Sequence, residues 1–248
     1  MAQARIIFYD WPYSPFCMKV RAILDHKNLA YEAINPLGRR MIALSRRGKV
    51  GKVPALEVDG ALIVDSTDIA YELERRFPDR PILPADAGER ALCHALEDWA
   101  DESLYFIGLY YRWYEAEGRK PIPAAFGKSV PGRLAYRFYL KRILGQLKGQ
   151  GTLRKPPDHV ARDLERNLEA IEGLAARAPY LMGERPFLCD FALWGQLNYL
   201  QRTPVGGRAL AARPAIGGYM ERVVAAAAFD PEQTFGGVSA RSRRGGGR

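Results

Sequence analysis

Short apolar runs alternate with helical apolar spacing along the N-terminal third of the chain. Four runs predict β-strands, because they are rich in β-branched, aromatic or other apolar residues and are bounded by turn residues. These runs are Ile6–Tyr9, Tyr31–Ile34, Pro54–Val58 and Ala61–Val64. Apolar residues at helical spacing predict one helix from Phe16 and another from Ile69, and the basic stretch 39–47 is weakly helical.

The order of these elements, β-α-β-α-β-β-α, predicts a small α/β domain. Strands that are joined by a helix are expected to run parallel, with right-handed crossovers. Asp59-Gly60 separates the last two strands and favours a two-residue hairpin, because both residues tolerate positive φ. The last strand is therefore expected to be antiparallel to the one before it.

The remaining two thirds of the chain has a helical pattern. A period of 3.6 residues predicts one long helix, whose face carries Leu92, Leu96, Trp99, Ser103, Phe106 and Tyr110. Residues 160–174 predict a second amphipathic helix. The stretch between these helices, about 118–160, is broken by prolines and strongly basic, with Asp158 as its lone acid.

This basic insert contains a candidate amphipathic helix between Gly132 and Leu147, with Leu134, Phe138, Ile143, Leu144 and Leu147 on its apolar side. Such a helix can lie on an anionic membrane surface. The interpretation that we favour is a solvated charged face packed on the protein, because Lys and Arg stems cover apolar surface.

These changes of pattern divide the chain into four parts. Residues 1–78 form the predicted α/β domain, and residues 79–89 form a proline-rich linker. Residues 90–230 form an all-helical domain that includes the basic insert. Residues 231–248 form a basic tail rich in Gly and Arg, which we expect to be disordered.

Composition predicts the compartment of the protein and the charge of its partners, but it does not predict the reaction. The chain has 248 residues, a net charge of +9 and three cysteines. The charge favours anionic partners, but nucleic-acid contact through the tail would be nonspecific. Few cysteines and no signal peptide predict a reducing cytoplasm. No apolar run approaches a membrane span, and no His or Cys spacing indicates a metal site.

The candidate chemistry begins at Ser14-Pro15, which has the pattern of a helix N-cap followed by proline at the first helical position. This places a hydroxyl and unpaired N–H groups at the positive end of a helix dipole, where an anion such as a thiolate is stabilised. A hydroxyl that donates to a thiolate lowers the pKa of the thiol. A plain capping role explains the same two residues.

The run Trp11-Pro12-Tyr13-Ser14-Pro15-Phe16-Cys17-Met18-Lys19-Val20 resembles the Ser-Pro-Phe region of serine-type glutathione S-transferases, especially the tau class. The resemblance implies a thioredoxin-like N-terminal domain, βαβαββα, followed by an all-α C-terminal helical bundle. It also implies that glutathione is the co-substrate and that the Ser14 hydroxyl contacts the glutathione sulfur.

The same resemblance assigns the rest of the glutathione site. Val53-Pro54 matches a cis-proline turn in which Val53 offers its backbone to the cysteinyl part of glutathione. Asp65-Ser66 matches the pair that holds the γ-glutamyl carboxylate. Lys52 is the first choice for the glycyl carboxylate, ahead of two weaker basic candidates, Arg40 and Lys49.

A small hydrophobic electrophile is the implied second substrate, and a homodimer is the implied assembly. Tyr13, Tyr110 and Trp113 are candidates for lining the electrophile pocket. We interpret the chain as a transferase in which Ser14 stabilises the thiolate.

Two alternatives stay open beside this interpretation. The C-terminal half resembles the failed-axon and metaxin-like branch of the superfamily, so the chain could be a non-catalytic protein that binds a partner or a membrane surface. Cys17 is a candidate redox thiol for a glutathione-dependent reductase or isomerase. A cysteine one turn into a helix is more often a small buried apolar residue.

Residues 180–194 resemble the family's C-terminal folding motif with one change. Phe187 stands where the family has Ser or Thr, three residues before Asp190. The hydroxyl half of a reciprocal helix cap is therefore missing. On capping alone, Phe187→Ser is expected to stabilise the fold by about 1 kcal/mol.

Overall fold

The computed structural model describes residues 4–36, 39–48 and 51–228; Lys49 and the basic tail lie outside these ranges. The N-terminal part contains a four-stranded mixed sheet of order β2-β1-β3-β4. Its strands are β1 (Ile6–Tyr9), β2 (Glu32–Ile34), β3 (Ala55–Val58) and β4 (Ala61–Val64). The four predicted strands and the thioredoxin-like βαβαββα order are confirmed.

The strand directions confirm one part of the sequence prediction and correct another. β1 pairs in parallel with β2, with Phe8 opposite Ala33, and antiparallel with β3, with Phe8 opposite Leu56. The hairpin of β3 and β4 is antiparallel, as expected. Parallel pairing is wrong for β2 and β3, which run in opposite directions although α2 (Arg39–Gly48) joins them. β1 lies between these two strands, so the connection crosses the sheet and β3 enters from the other end.

Two helices of this domain begin next to residues that the resemblance assigns to glutathione binding. They are α1 (Pro15–His26) and α3 (Ser66–Arg76). In α1, Val20, Ile23 and Leu24 are fully buried. These side chains fix the position of the helix through the burial of apolar area. α1 packs against α3 and, most extensively, against a helix of the C-terminal half, and it thereby joins the two halves.

Among the described residues, the secondary structure of the C-terminal half is helical apart from an isolated bridge between Tyr180 and Gly183. Its α-helices are α4 (Ala87–Asp98), α5 (Tyr105–Leu109), α6 (Ala116–Arg119), α7 (Ile122–Ala125), α8 (Val130–Gln150), α9 (Pro157–Ala175), α10 (Leu188–Gln201), α11 (Pro204–Ala211) and α12 (Pro214–Ala227). Two π-helical segments, Trp99–Leu104 and Tyr110–Tyr114, flank α5. α4 begins inside the predicted linker 79–89, and the domain boundaries themselves stay predictions.

The predicted face of the long helix is offset by one residue from the face that the structure buries over residues 92–107. The buried positions include Cys93, Glu97, Ala100, Leu104 and Ile107, which keep the predicted spacing one residue further along the chain. On the predicted face, the side chain of Leu92 is 53% exposed and Ser103 is exposed.

The basic insert folds mainly as α8, whose two ends differ in burial. Near its N-terminus, Val130, Leu134 and Phe138 are exposed, whereas Ile143 and Leu147 are buried against the rest of the protein. The single apolar side predicted for this helix is therefore divided between solvent and core. Among the described helices, none is both long and apolar enough to cross a membrane.

Asp190 organises the start of α10, which is buried along nearly its whole length. Its carboxylate accepts hydrogen bonds from the N–H groups of Phe187 and Leu181, each at 2.9 Å, and from the Tyr219 hydroxyl at 3.0 Å. The ring of Phe187 is only 6% exposed and lies 4.8 Å below the guanidinium of Arg185. Phe187 is thus a core residue, and this burial reverses the expectation that Phe187→Ser stabilises the fold.

Candidate functional site

A cleft of about 2350 Å³ separates the N-terminal and C-terminal halves of the described chain. One wall consists of the loop before α1, the turn before β3 and the first turn of α3. The facing wall consists of α4, the π-helical segments, α8 and the end of α10. Both domains therefore contribute to one site.

Ser14 lies at the N-terminus of α1 and lines this cleft. Its Oγ accepts a hydrogen bond from the Cys17 N–H at 3.3 Å, which confirms the N-cap. The Ser14 N–H donates to the Trp11 carbonyl at 2.9 Å and fixes the loop. A hydroxyl that accepts through a lone pair keeps its proton for donation. Ser14 can therefore serve as a cap and as a donor to an anion in the cleft.

The turn before β3 brings three more predicted residues to the same wall. Lys52, Val53 and Pro54 all line the cleft, and the Val53–Pro54 peptide bond is cis, as the resemblance implies. The side chain of Lys52 is exposed, whereas Pro54 is buried. Arg40, a weaker candidate for the same role as Lys52, is exposed on α2 and does not line the described cleft.

Asp65 and Ser66 form the third corner of this wall. Asp65 has a φ of 86°, which few residues other than glycine adopt, and turns the chain from β4 into α3. Its carboxylate caps α3 by accepting from the Thr67 N–H at 2.9 Å. Ser66 is the first residue of α3, where backbone N–H groups have no partner within the helix. The geometry brings Ser14, Val53 and Ser66 together around one cleft.

A buried charge cluster beneath Ser66 was not anticipated from the sequence. The Lys19 ammonium on α1 contacts the carboxylates of Glu97 and Asp101, the latter at 2.7 Å, and also lies 3.4 Å from the Ser66 hydroxyl. Gln196 on α10 donates to Asp101 at 3.0 Å. The cluster connects α1 and α3 to the C-terminal half and holds the first turn of α3.

Lys19 carries its charge although it is buried. Burial alone lowers the pKa of a lysine, but Asp101 and Glu97 beside it raise the pKa of Lys19 above its usual value. The available sequence signal was a lysine among the apolar residues of α1, together with two acids one turn apart in a buried helix. Their pairing across about eighty residues of chain could not be derived from local spacing.

Cys17 lies behind the cleft wall rather than in it. The side chain is fully buried, and its Sγ accepts from the Trp11 N–H at 3.4 Å. Burial raises the pKa of Cys17 to about 12, against the smaller lowering effects of hydrogen bonds from Trp11 and Ser14. A protonated, buried thiol is a poor nucleophile. This geometry does not favour the redox interpretation.

The apolar part of the cleft contains two of the three predicted pocket residues. Tyr13 and Trp113 line it, whereas Tyr110 does not. Tyr110 is buried against the rings of Tyr111 and Tyr114, so its assignment to the pocket is wrong.

Known proteins match both halves of the chain. The family model of the glutathione S-transferase N-terminal domain matches residues 8–81, and the family model of the C-terminal domain matches residues 133–222. Failed axon connections from Drosophila melanogaster is 25% identical over 205 residues, which cover 76% of this chain and 47% of that protein. A probable maleylacetoacetate isomerase from Caenorhabditis elegans is 32% identical over 99 residues, which cover 39% of this chain and 46% of that protein. The chain spans about half the length of these curated relatives.

Solved structures share the fold across nearly the whole chain. A beta-etherase from Sphingobium has a TM-score of 0.67 and 21% identity, with 93% of this chain and 98% of that chain covered. A glutathione transferase family member from Pseudomonas fluorescens, solved with two glutathione molecules bound, has a TM-score of 0.61 and 15% identity, with 90% and 91% covered. At these identities the likeness concerns the fold. With both of its halves matched by the two family domains, this chain belongs to the glutathione S-transferase superfamily.

Proposed function

We propose that this protein is a glutathione transferase that joins glutathione to a small hydrophobic electrophile. The observation that carries the proposal is the position of the Ser14 hydroxyl, at the positive end of α1 and on the wall of the interdomain cleft. A thiolate bound there gains a charge-assisted hydrogen bond and a favourable helix dipole. Both interactions favour the thiolate over the thiol.

The tripeptide would bind along the N-terminal wall. Its sulfur would face Ser14, and its cysteinyl backbone would pair with the backbone of Val53. The γ-glutamyl carboxylate would lie at the N-terminus of α3 beside Ser66, where unpaired N–H groups bind anions. Lys52, which is exposed on the same wall, would meet the glycyl carboxylate.

In this reaction no group of the protein forms or breaks a covalent bond. With an aryl chloride, the glutathione thiolate attacks the carbon that bears chlorine, a sulfur–carbon bond forms, and chloride leaves with the bonding electron pair. The Ser14 O–H bond stays intact and donates to sulfur throughout the attack. Ser14 thus raises the fraction of thiolate at neutral pH, which is how a bound nucleophile is activated. Tyr13 and Trp113 would contact the electrophile.

A second candidate function is that of a non-catalytic member of the superfamily that binds a partner or a membrane surface. The similarity to Failed axon connections favours it, since that match covers 76% of this chain, a larger share than the isomerase match covers. The buried Cys17 does not favour a third candidate, a thiol reductase or isomerase that uses this residue. We also propose a cytoplasmic homodimer, and light scattering of the purified protein would test the dimeric state.

Conjugation of glutathione to chlorodinitrobenzene tests the first proposal against the second. Thioether formation that falls at least tenfold in Ser14→Ala, and recovers in Ser14→Thr, is the expected result. Calorimetry with glutathione accompanies the assay, so that lost binding is separated from lost turnover. Binding without thioether formation, unchanged in Ser14→Ala, would instead establish the non-catalytic function.

A further inference from the structure

Arg112 is a cation in the wall of the cleft without a carboxylate partner among the residues described. It is half-buried in the second π-helical segment, and burial lowers its pKa below the usual arginine value. Among the described residues it donates one hydrogen bond, to the Tyr199 carbonyl, at a long 3.5 Å. Arg21 and Arg213, which are also shielded from solvent, each pair with acids. A guanidinium has five N–H donors, and most of those of Arg112 remain for a ligand.

A continuous aromatic wall connects Arg112 to the loop that holds Ser14. Trp11 packs edge-on against Tyr139 of α8 with ring centroids 5.4 Å apart, and Tyr139 packs against Trp113 at 5.2 Å. The Trp113 indole N–H donates to the Tyr199 hydroxyl at 2.9 Å. The Arg112 guanidinium lies over the Tyr199 ring, 5.5 Å from its centroid. The series begins three residues before Ser14 and ends at a cation.

We propose that the electrophile accepted by this cleft is an elongated aromatic molecule that carries a carboxylate at the end remote from its reacting carbon. The aromatic body would lie along Tyr139 and Trp113, and the carboxylate would pair with Arg112. A planar guanidinium binds a carboxylate through two parallel hydrogen bonds. In a cleft lined by rings this pair is stronger than in water, because the local dielectric is lower. The inference rests on the proposed function but is tested separately from it.

The competing explanation for Arg112 is structural. Its bond to Tyr199 reaches a carbonyl in the last turn of α10, where cations often satisfy unpaired carbonyl groups. That role needs one N–H and no carboxylate ligand. It therefore predicts a loss of thermal stability in an Arg112 variant, without any change in ligand preference.

Binding of a matched pair of ligands distinguishes these roles without requiring turnover. Biphenylcarboxylate and the uncharged biphenylcarboxamide have nearly the same shape, and calorimetry measures their affinities in the presence of glutathione. The protein is expected to prefer the carboxylate by about tenfold, the equivalent of one good ion pair. Arg112→Gln is expected to abolish the preference, and Arg112→Lys is expected to retain part of it.

Arg142→Gln is the matched control, because Arg142 is an exposed cation that lines the same cleft. An unchanged preference in Arg142→Gln supports the assignment. Equal affinities of the two ligands for the wild-type protein would overturn the proposal, even if Arg112→Gln does not fold. A preference for the carboxylate that survives in folded Arg112→Gln, or that disappears in Arg142→Gln, would also overturn the proposal. A preference for the carboxylate in a protein with no conjugating activity would keep this inference and reject only the proposed function.

Discussion

Replacement of Phe187 by serine sets two effects of known sign against each other. Serine supplies the hydroxyl that a reciprocal cap with Asp190 lacks, which stabilises a helix by about 1 kcal/mol. The substitution also removes a ring that is only 6% exposed in the core beside α10. Loss of a buried Phe side chain costs about 3–5 kcal/mol. The free energy of unfolding of Phe187→Ser is therefore expected to fall by about 2–4 kcal/mol.

Urea unfolding followed by circular dichroism measures this balance, with Phe187→Ala as the matched variant. Alanine loses the ring without gaining the cap, so Phe187→Ser is expected to be more stable than Phe187→Ala by about 1 kcal/mol. The comparison isolates the capping contribution at a position where Asp190 already accepts the Phe187 N–H. A Phe187→Ser protein as stable as wild type would refute the reasoning that packing dominates here.

Two further predictions concern buried groups. All three cysteines are buried. An aromatic disulfide reagent is therefore expected to modify none of them in the native protein and all of them in urea. Rapid labelling of the native protein would contradict this prediction. Lys19→Met leaves Glu97 and Asp101 buried without their cation, and the free energy of unfolding is expected to fall by about 3–5 kcal/mol at neutral pH. Burial raises the pKa of Asp101 even beside Lys19, so the variant's deficit is expected to shrink as pH falls towards the ordinary carboxyl range. A deficit that grows in acid would contradict this assignment.

The elements of the N-terminal wall of the cleft could be predicted from the sequence, because their signals are short-range. Ser14-Pro15 has the pattern of a helix start, Asp59-Gly60 that of a hairpin turn, and Asp65 that of a second helix cap. Each depends on a few adjacent residues, and the structure contains all three. The resemblance then supplied the roles that spacing alone could not, including the cis bond before Pro54.

The errors arise where distant residues decide the geometry. The resemblance implies that Tyr110 lines the electrophile pocket, whereas its ring is buried against Tyr111 and Tyr114. The direction of β3 depends on a crossing of the sheet that apolar patterns do not encode. Lys19 and Asp101 meet only because α1 packs beside the C-terminal helices. Arg112 could not be predicted as a site residue, since one arginine in a basic chain has no local sequence pattern that marks it.

Ionisation of bound glutathione tests the central claim most directly. The ultraviolet absorbance of the thiolate, followed against pH in the saturated protein, gives the pKa of the bound thiol. A hydrogen bond to a charged group contributes about 1.5–3 kcal/mol. Its loss therefore raises the pKa of the bound thiol by about 1–2 units.

We expect the pKa of bound glutathione to lie below the ordinary thiol value of about 8.5 and to rise in Ser14→Ala. Ser14→Gly, which keeps most of the helix cap, is expected to show the same rise. Ser14→Thr, which keeps the hydroxyl, is expected to change the pKa of bound glutathione little. A bound thiol with an ordinary pKa, or one whose pKa is the same in wild type and Ser14→Ala, would contradict the role of Ser14.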